Sequence, residues 1–160
     1  MLQQNSKVFL GLDPGTTRMG YGVVKKEGSK LFFITCGATE VKEKEAGKRL
    51  IALRKKLNEL IKRYSPSAAG IEKLYFAKNK KTAIAVAEAR GVMLLCLSQA
   101  KVPIMEFDPT DVKRTVAGDG HCDKKTLAKM VCLSLGVKEL PGPDDASDAL
   151  AIAIRASFEV

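Results

Sequence analysis

The sequence predicts an α/β fold, a five-stranded mixed sheet flanked by helices on both faces. Two observations predict it. Strand-like and helix-like stretches follow one another in the order βββ-α-β-α-β, and the chain ends in helical sequence. No linker, repeat or low-complexity stretch divides the 160 residues, which suit a single domain over 1–160 with its own core.

Residues 7–13 (KVFLGLD) read as a buried central strand ending in a carboxylate. Pro14-Gly15 then turns the chain, since proline fixes one φ and glycine is free to take a positive one. A second strand runs from about 18 to 26, and Glu27-Gly28-Ser29 turns it into a third, 31–41. These three make an antiparallel meander. Over 46–64, Leu50, Leu53, Leu57, Leu60, Ile61 and Tyr64 share one helical face, and Pro66 ends the helix. A short strand, 68–72, precedes a helix over 83–100 that is apolar nearly all round, and an apolar strand spans 102–107. The remaining helices cover about 110–116, then 123–135 closed by Gly136, then 144–158 opened by Pro143.

Hydrophobic content of 46% and charged content of 28% are those of an ordinary globular protein. No apolar run reaches the 18 or more residues of a membrane span, and the first residues hold no signal core, so a cytoplasmic protein is expected. Cys36, Cys96, Cys122 and Cys132 show no CxxC spacing, which argues against zinc and for reduced thiols. The formal charge is +9 and unevenly spread. Residues 1–100 carry 19 Lys/Arg and 8 Asp/Glu, a net of +11, while 101–160 carry 8 and 10, a net of −2. A balance of this kind favours a polyanionic partner, because neutralising phosphates releases counterions.

The acids supply the candidate chemistry. Asp13 ends the first strand and Glu72 the fourth; parallel neighbours would bring both out at one sheet edge, where open α/β sheets place ligands. Asp145 and Asp148, three apart, share a face of the last helix, and Asp144 lies four before Asp148. The helix dipole accounts for acids at 144 and 145. It accounts less well for Asp148, which borders the apolar run 149–154 and needs a partner or a cation there. Convergent carboxylates in a basic protein point to hard divalent ions, usually Mg²⁺. Two such ions about 3.5–4 Å apart activate a water and stabilise the leaving oxygen of a phosphodiester.

Gly11-Leu12-Asp13-Pro14-Gly15, Gly20-Tyr21-Gly22, Ile71-Glu72, Ala89-Arg90-Gly91 and Asp145-Ala146-Ser147-Asp148-Ala149 together resemble the bacterial RuvC-type Holliday junction resolvases, or crossover junction endodeoxyribonucleases, in order over nearly the whole chain. The first block alone is also found in sugar kinases and actin-like ATPases. The resemblance implies a ribonuclease-H-like fold, a homodimer, a branch-migration partner, and Mg²⁺- or Mn²⁺-dependent cutting of two opposed strands of a four-way junction. It puts the acidic tetrad on Asp13, Glu72, Asp145 and Asp148, and favours Asp145 over Asp144 through the D-x-x-D spacing.

The resemblance further implies a stacking aromatic three residues after the Glu, here Tyr75. Stacking tolerates any base and contributes about 1–3 kcal/mol for each. The alternative makes Tyr75 a packed surface residue and Phe76 core. Lys78, Lys80 and Lys81 form a basic run beside it, fit either for phosphates or for a solvated loop. Lys113 and Lys124 match the two lysines the family sets near its active site. The loop Gly118-Asp119-Gly120-His121-Cys122-Asp123-Lys124 departs from the family's Gly-x-Gly-x-Ala-x-Lys: Cys122 replaces alanine, and Asp119 and Asp123 add negative charge where DNA is expected. His121 reads as a loop residue rather than a general base, and the basic helix face from Lys48 to Arg63 as solvated.

Three other readings stand beside a junction nuclease. A kinase-type phosphotransferase needs a longer, two-lobed chain. A catalytically dead junction binder would lack some of the acids, yet all four positions hold them. A ribonuclease-H-like nuclease for another branched DNA or RNA is the runner-up. As for assembly, the helix over 83–100 has more apolar surface than one sheet covers. A second copy across a two-fold axis is the simplest cover, with Ala87 and Gly91 allowing close approach and Ile84 and Leu95 in contact.

Overall fold

The computed structural model describes residues 6–75 and 80–160. Strands β1 (Lys7–Pro14), β2 (Arg18–Glu27) and β3 (Lys30–Glu40) lead into α1 (Ala46–Tyr64), β4 (Ala68–Glu72), α2 (Lys80–Gln99) and β5 (Ile104–Phe107). Helices α3 (Pro109–Ala117), α4 (Lys124–Leu135) and α5 (Asp144–Ser157) complete the chain. The sheet order is β3-β2-β1-β4-β5, with β1–β2 and β2–β3 antiparallel and β1–β4 and β4–β5 parallel. The expected five-stranded mixed sheet is thus present, with β1 at its centre.

The turns follow from their residues. Gly28, at φ 59°, opens the two-residue hairpin between β2 and β3. Ser65 closes α1 in the left-handed region just before Pro66, its N–H bonded to the Ile61 carbonyl at 2.9 Å. Two boundaries move by more than one residue from their expected places. α2 begins at Lys80 rather than 83, because lysines form helix as readily as the apolar stretch behind them. β5 begins at Ile104 rather than 102, because Pro103 has no N–H to give a ladder.

Two cores flank the sheet. On one face Phe9, Val24, Ala68 and Phe107 pack with α3, α4 and α5; on the other Leu10, Leu12, Met19, Val23, Ala69 and Ile71 pack with α1 and α2. α5 has ten buried residues, including all of Ala149 to Ile154. α2 buries Ala89, Met93, Cys96 and Leu97 against the sheet. By length and composition α2 is also apolar enough to cross a membrane. Its opposite side leaves Ile84 67% and Leu95 52% exposed, and a Cβ added at Gly91 would meet nothing within 4 Å.

α5 lies unusually low on the sheet, and glycines permit it. A Cβ at Gly11 of β1 would overlap the carbonyl oxygen of Ala149, and one at Gly20 of β2 would overlap that of Asp145. Gly22 and Gly70 meet Leu150 and Ile152 in the same way. The helix that carries Asp145 and Asp148 therefore rests with its backbone against the strands.

Candidate active site

Alternation along the strands decides which side chains reach this face. In β1, Leu10 and Leu12 belong to the α1–α2 core and Phe9 to the α5 core, so Asp13 emerges on the α5 side. In β4, Ala69 and Ile71 face α1–α2 and Ala68 faces α5, so Glu72 emerges beside Asp13. The parallel register pairs Leu12 with Ile71, and one further step puts Asp13 opposite Glu72. α5 then brings its first turn over this edge.

Asp13, Asp145 and Asp148 meet there, each half-buried, with one carboxylate oxygen from each lying within 4.8 Å of the others. Burial, followed by the charges of Glu72, Asp148 and Asp145, pushes the Asp13 carboxyl up to about 8. Burial and the Asp148 charge likewise raise Glu72, against the pull of Lys113 and Lys124. Burial raises Asp148, opposed by Lys124, whose Nζ lies 3.2 Å from Asp148 Oδ2. Arg18 Nη1 lies 3.9 Å from Asp145 Oδ2. Three crowded, partly desolvated carboxylates, with a fourth beside them, would once all ionised carry more charge than Arg18, Lys113 and Lys124 balance. Such a donor set fits a hard divalent ion with oxygen ligands.

Most of the residues singled out from the sequence have a definite place. Glu72 stands beside the trio rather than within it. Asp144 is exposed and outside the trio, so the geometry separates it from Asp145. Tyr75 is 59% exposed, with its hydroxyl donating to Asp108 Oδ1. Lys113 is half-buried on α3, and its charge acts on Glu72. Lys124 opens α4 and pairs with Asp148. Phe76 and Lys78 lie outside the described residues, whereas Lys80 and Lys81 are exposed at the start of α2.

In the loop before α4 both acids accept local backbone hydrogen bonds. Asp119 accepts the His121 backbone N–H at 2.9 Å, and Asp123 caps α4 by accepting from Thr126 N at 2.7 Å. Both acids thus have local bonding tasks. Cys122 is buried in the α5 core, so its thiol is packing rather than a reactive group. His121 is exposed, as a loop residue would be.

The contacts of three residues in this region were not predicted from the sequence. Arg90 donates from Nε to the Glu72 carbonyl at 3.3 Å and pairs with Glu106, tying α2 to the ends of β4 and β5. A lone arginine within an apolar helix was the available signal. Asp108 holds both Tyr75 and Lys73, and Arg18 approaches Asp145. No local pattern announced either, since both depend on contacts distant in sequence.

A five-stranded mixed sheet with carboxylates gathered beneath one helix N-terminus defines a ribonuclease-H-like α/β protein. Comparison with known proteins narrows the class. The family model described as crossover junction endodeoxyribonuclease RuvC matches residues 9–156, and the chain belongs to that family. It is a DNA-hydrolysing endonuclease. It is 50% identical over 146 residues to crossover junction endodeoxyribonuclease RuvC of Thermosipho melanesiensis, covering 91% of this chain and 93% of that one. The corresponding protein of Roseiflexus sp. is 47% identical over 146 residues, covering 91% and 87%. The structure of Thermus thermophilus RuvC in complex with a Holliday junction substrate superposes with a TM-score of 0.88 at 34% identity, covering 96% of this chain and 94% of that one.

Proposed function

We propose that this endonuclease resolves four-way (Holliday) DNA junctions in recombination and repair, hydrolysing phosphodiesters on two opposed strands with Asp13, Glu72, Asp145 and Asp148 as catalytic, metal-holding residues. The convergence of three carboxylate oxygens within 4.8 Å carries the reading. The junction-bound T. thermophilus relative supports the substrate. Mg²⁺ is the proposed cofactor, two ions per subunit, with Mn²⁺ as a substitute. When bound, such ions lower the pKa of water and stabilise the charge of a leaving oxygen.

The chain's own groups divide the remaining work. Asp13 would have to lose its proton to hold such an ion, and its burial would make that loss depend on what occupies the site. Lys113 and Lys124 supply positive charge for the strand entering beside Glu72 and Asp148. Tyr75 offers an exposed ring for base stacking three residues beyond Glu72. Paired cutting needs two sites, and the uncovered side of α2, with Ile84, Gly91 and Leu95, is suited to a homodimer. The resemblance carries one further element of the proposal, a branch-migration complex as partner; a cytoplasmic setting is proposed beside it.

Cleavage of a synthetic four-way junction, compared with linear duplex, single strand and an RNA–DNA hybrid, with and without Mg²⁺, tests the reading. Cutting confined to the junction and dependent on the ion is expected. Equal cutting of the hybrid would transfer the site to another branched or RNA substrate.

A further inference from the structure

Asp108 and Asp123 stand at the capping positions of α3 and α4, and the two aspartates do different things. Asp123 spends its carboxylate on the first turn of α4, accepting from Thr126 N. Asp108 makes no side-chain cap to α3. It has little need to. Pro109 has no N–H to satisfy, and the Asp108 carbonyl accepts from both Asp111 N at 3.0 Å and Val112 N at 3.1 Å. The carboxylate is left to turn toward the segment that follows Glu72. That segment is pinned to the sheet by Lys73 N, which donates to the Phe107 carbonyl at 2.9 Å. Lys73 Nζ then reaches Asp108 Oδ2 at 3.1 Å, and the Tyr75 hydroxyl donates to Oδ1.

We propose that Asp108 is a positioning residue for Tyr75, holding the phenol by its hydroxyl so that the ring stands at a fixed place beside Glu72 before DNA arrives. The inference rests on the reading that Tyr75 stacks on a base. A ring already fixed in one rotamer loses less conformational freedom on stacking, which is where preorganisation helps binding of the activated substrate. Phenylalanine would offer the same face with no tether, so the hydroxyl is the specific element.

Single-turnover cleavage and junction Kd, measured for Tyr75→Phe, Asp108→Ala, Asp108→Asn and the double variant Tyr75→Phe/Asp108→Ala, test this. Tyr75→Phe and Asp108→Ala should each slow cleavage about fivefold to tenfold, the loss of one hydrogen bond to a partly exposed charged acceptor, with Kd nearly unchanged. The double variant should be no slower than either single one, because both remove the same tether. Asp108→Asn keeps an acceptor for the hydroxyl and should restore most of the rate. 2-Aminopurine at the junction centre should report weaker stacking in Tyr75→Phe, Asp108→Ala and the double variant, but not in Asp108→Asn. Multiplying effects in the double variant, or wild-type rates in Tyr75→Phe, would overturn the proposal. If Tyr75→Ala is slow while Tyr75→Phe is normal, stacking stands and positioning falls; if Tyr75→Ala is also normal, the stacking role itself falls. Should Asp108→Ala fail to fold, the comparison of Tyr75→Phe with Asp108→Asn still decides.

Discussion

Lys124 Nζ of α4 sits 3.2 Å from Asp148 Oδ2 of α5, so a lysine already occupies part of the charge deficit at the carboxylate cluster. Asp148 raises the pKa of Lys124, and Lys124 pulls against the burial that raises Asp148. A divalent ion at the cluster has to compete with this lysine. Lys124→Met should therefore tighten Mg²⁺ binding to the DNA-free protein, by no more than about fivefold, because a pair with so exposed a lysine contributes about 1 kcal/mol at most. Calorimetric titration reads this directly, and an unchanged or weaker affinity excludes the competition. Junction cleavage should fall in the same variant, since the charge that serves the phosphate is gone.

Asp13→Asn, Glu72→Gln and Asp148→Asn should each abolish cleavage while leaving junction binding largely intact. In the proposed site these groups would hold cation rather than DNA, and neutralising them would lessen repulsion with phosphate. Gel-shift and cleavage measured on the same preparations separate the two effects. A variant that cuts normally in Mg²⁺ removes its residue from the proposed site.

The stability of the metal-free protein should depend on pH in a direction set by Asp13. Its carboxyl is ordinarily near 3.8 and rises to about 8 in the folded chain. Between those values the folded state keeps a proton that the unfolded state has released. Its stabilising contribution is complete below the ordinary value and is lost as pH rises through about 8. In EDTA, Asp13→Asn should thus gain on the wild type as pH increases, by about 2–4 °C in Tm for each kcal/mol relieved. Mg²⁺ should close the gap by binding the ionised form. A gap that narrows with pH in EDTA would contradict the assignment of buried, crowded charge.

Gly11→Ala should cost both stability and activity, since the new methyl meets the Ala149 backbone and lifts α5 from β1. Overpacking of this kind costs about 1–3 kcal/mol. The distinguishing measurement is Mg²⁺ affinity, which should drop because Asp145 and Asp148 shift with the helix. An alanine variant with lowered Tm and unaltered ion binding would show that the helix relaxes without moving its acids.

Arginine at Ile84 or Leu95 should leave the fold intact, since both side chains are mainly exposed, and should yield a monomer that nicks without coordinated double cutting. Sedimentation of the wild-type chain as a monomer at micromolar concentration, with normal resolution of junctions, would remove α2 as the dimer face.

The parts of this molecule that were legible in its sequence are those fixed by local pattern. The apolar run of β1 and its final Asp13, the turn at Gly28, and the helix ends at Pro66 and Gly136 all follow from residues next to one another. Asp13 and Glu72 could be placed on one edge from strand ends alone, given parallel pairing. The choice of Asp145 over Asp144 came from resemblance and not from the residues; in the structure Asp144 is exposed and Asp145 half-buried. Tertiary approach was not legible. Nothing near Gly11 or Gly20 indicates that α5 lies against them, and the partners of Arg90 and Asp108 come from elements far along the chain. The lysine at 124 was found, but its engagement with Asp148 was not.

The low seat of α5 also bears on how a substrate is chosen. Two of the acids stand on a helix whose backbone presses on two strands and whose next residues are wholly enclosed, so this edge yields little to whatever approaches it. The geometric adjustment then falls to the nucleic acid. Linear duplex resists sharp bending over a few base pairs, with a persistence length of about 50 nm, whereas a branch point is hinged where its arms meet. Against so firmly seated an edge, a hinged branch point would take less work to place than a linear duplex.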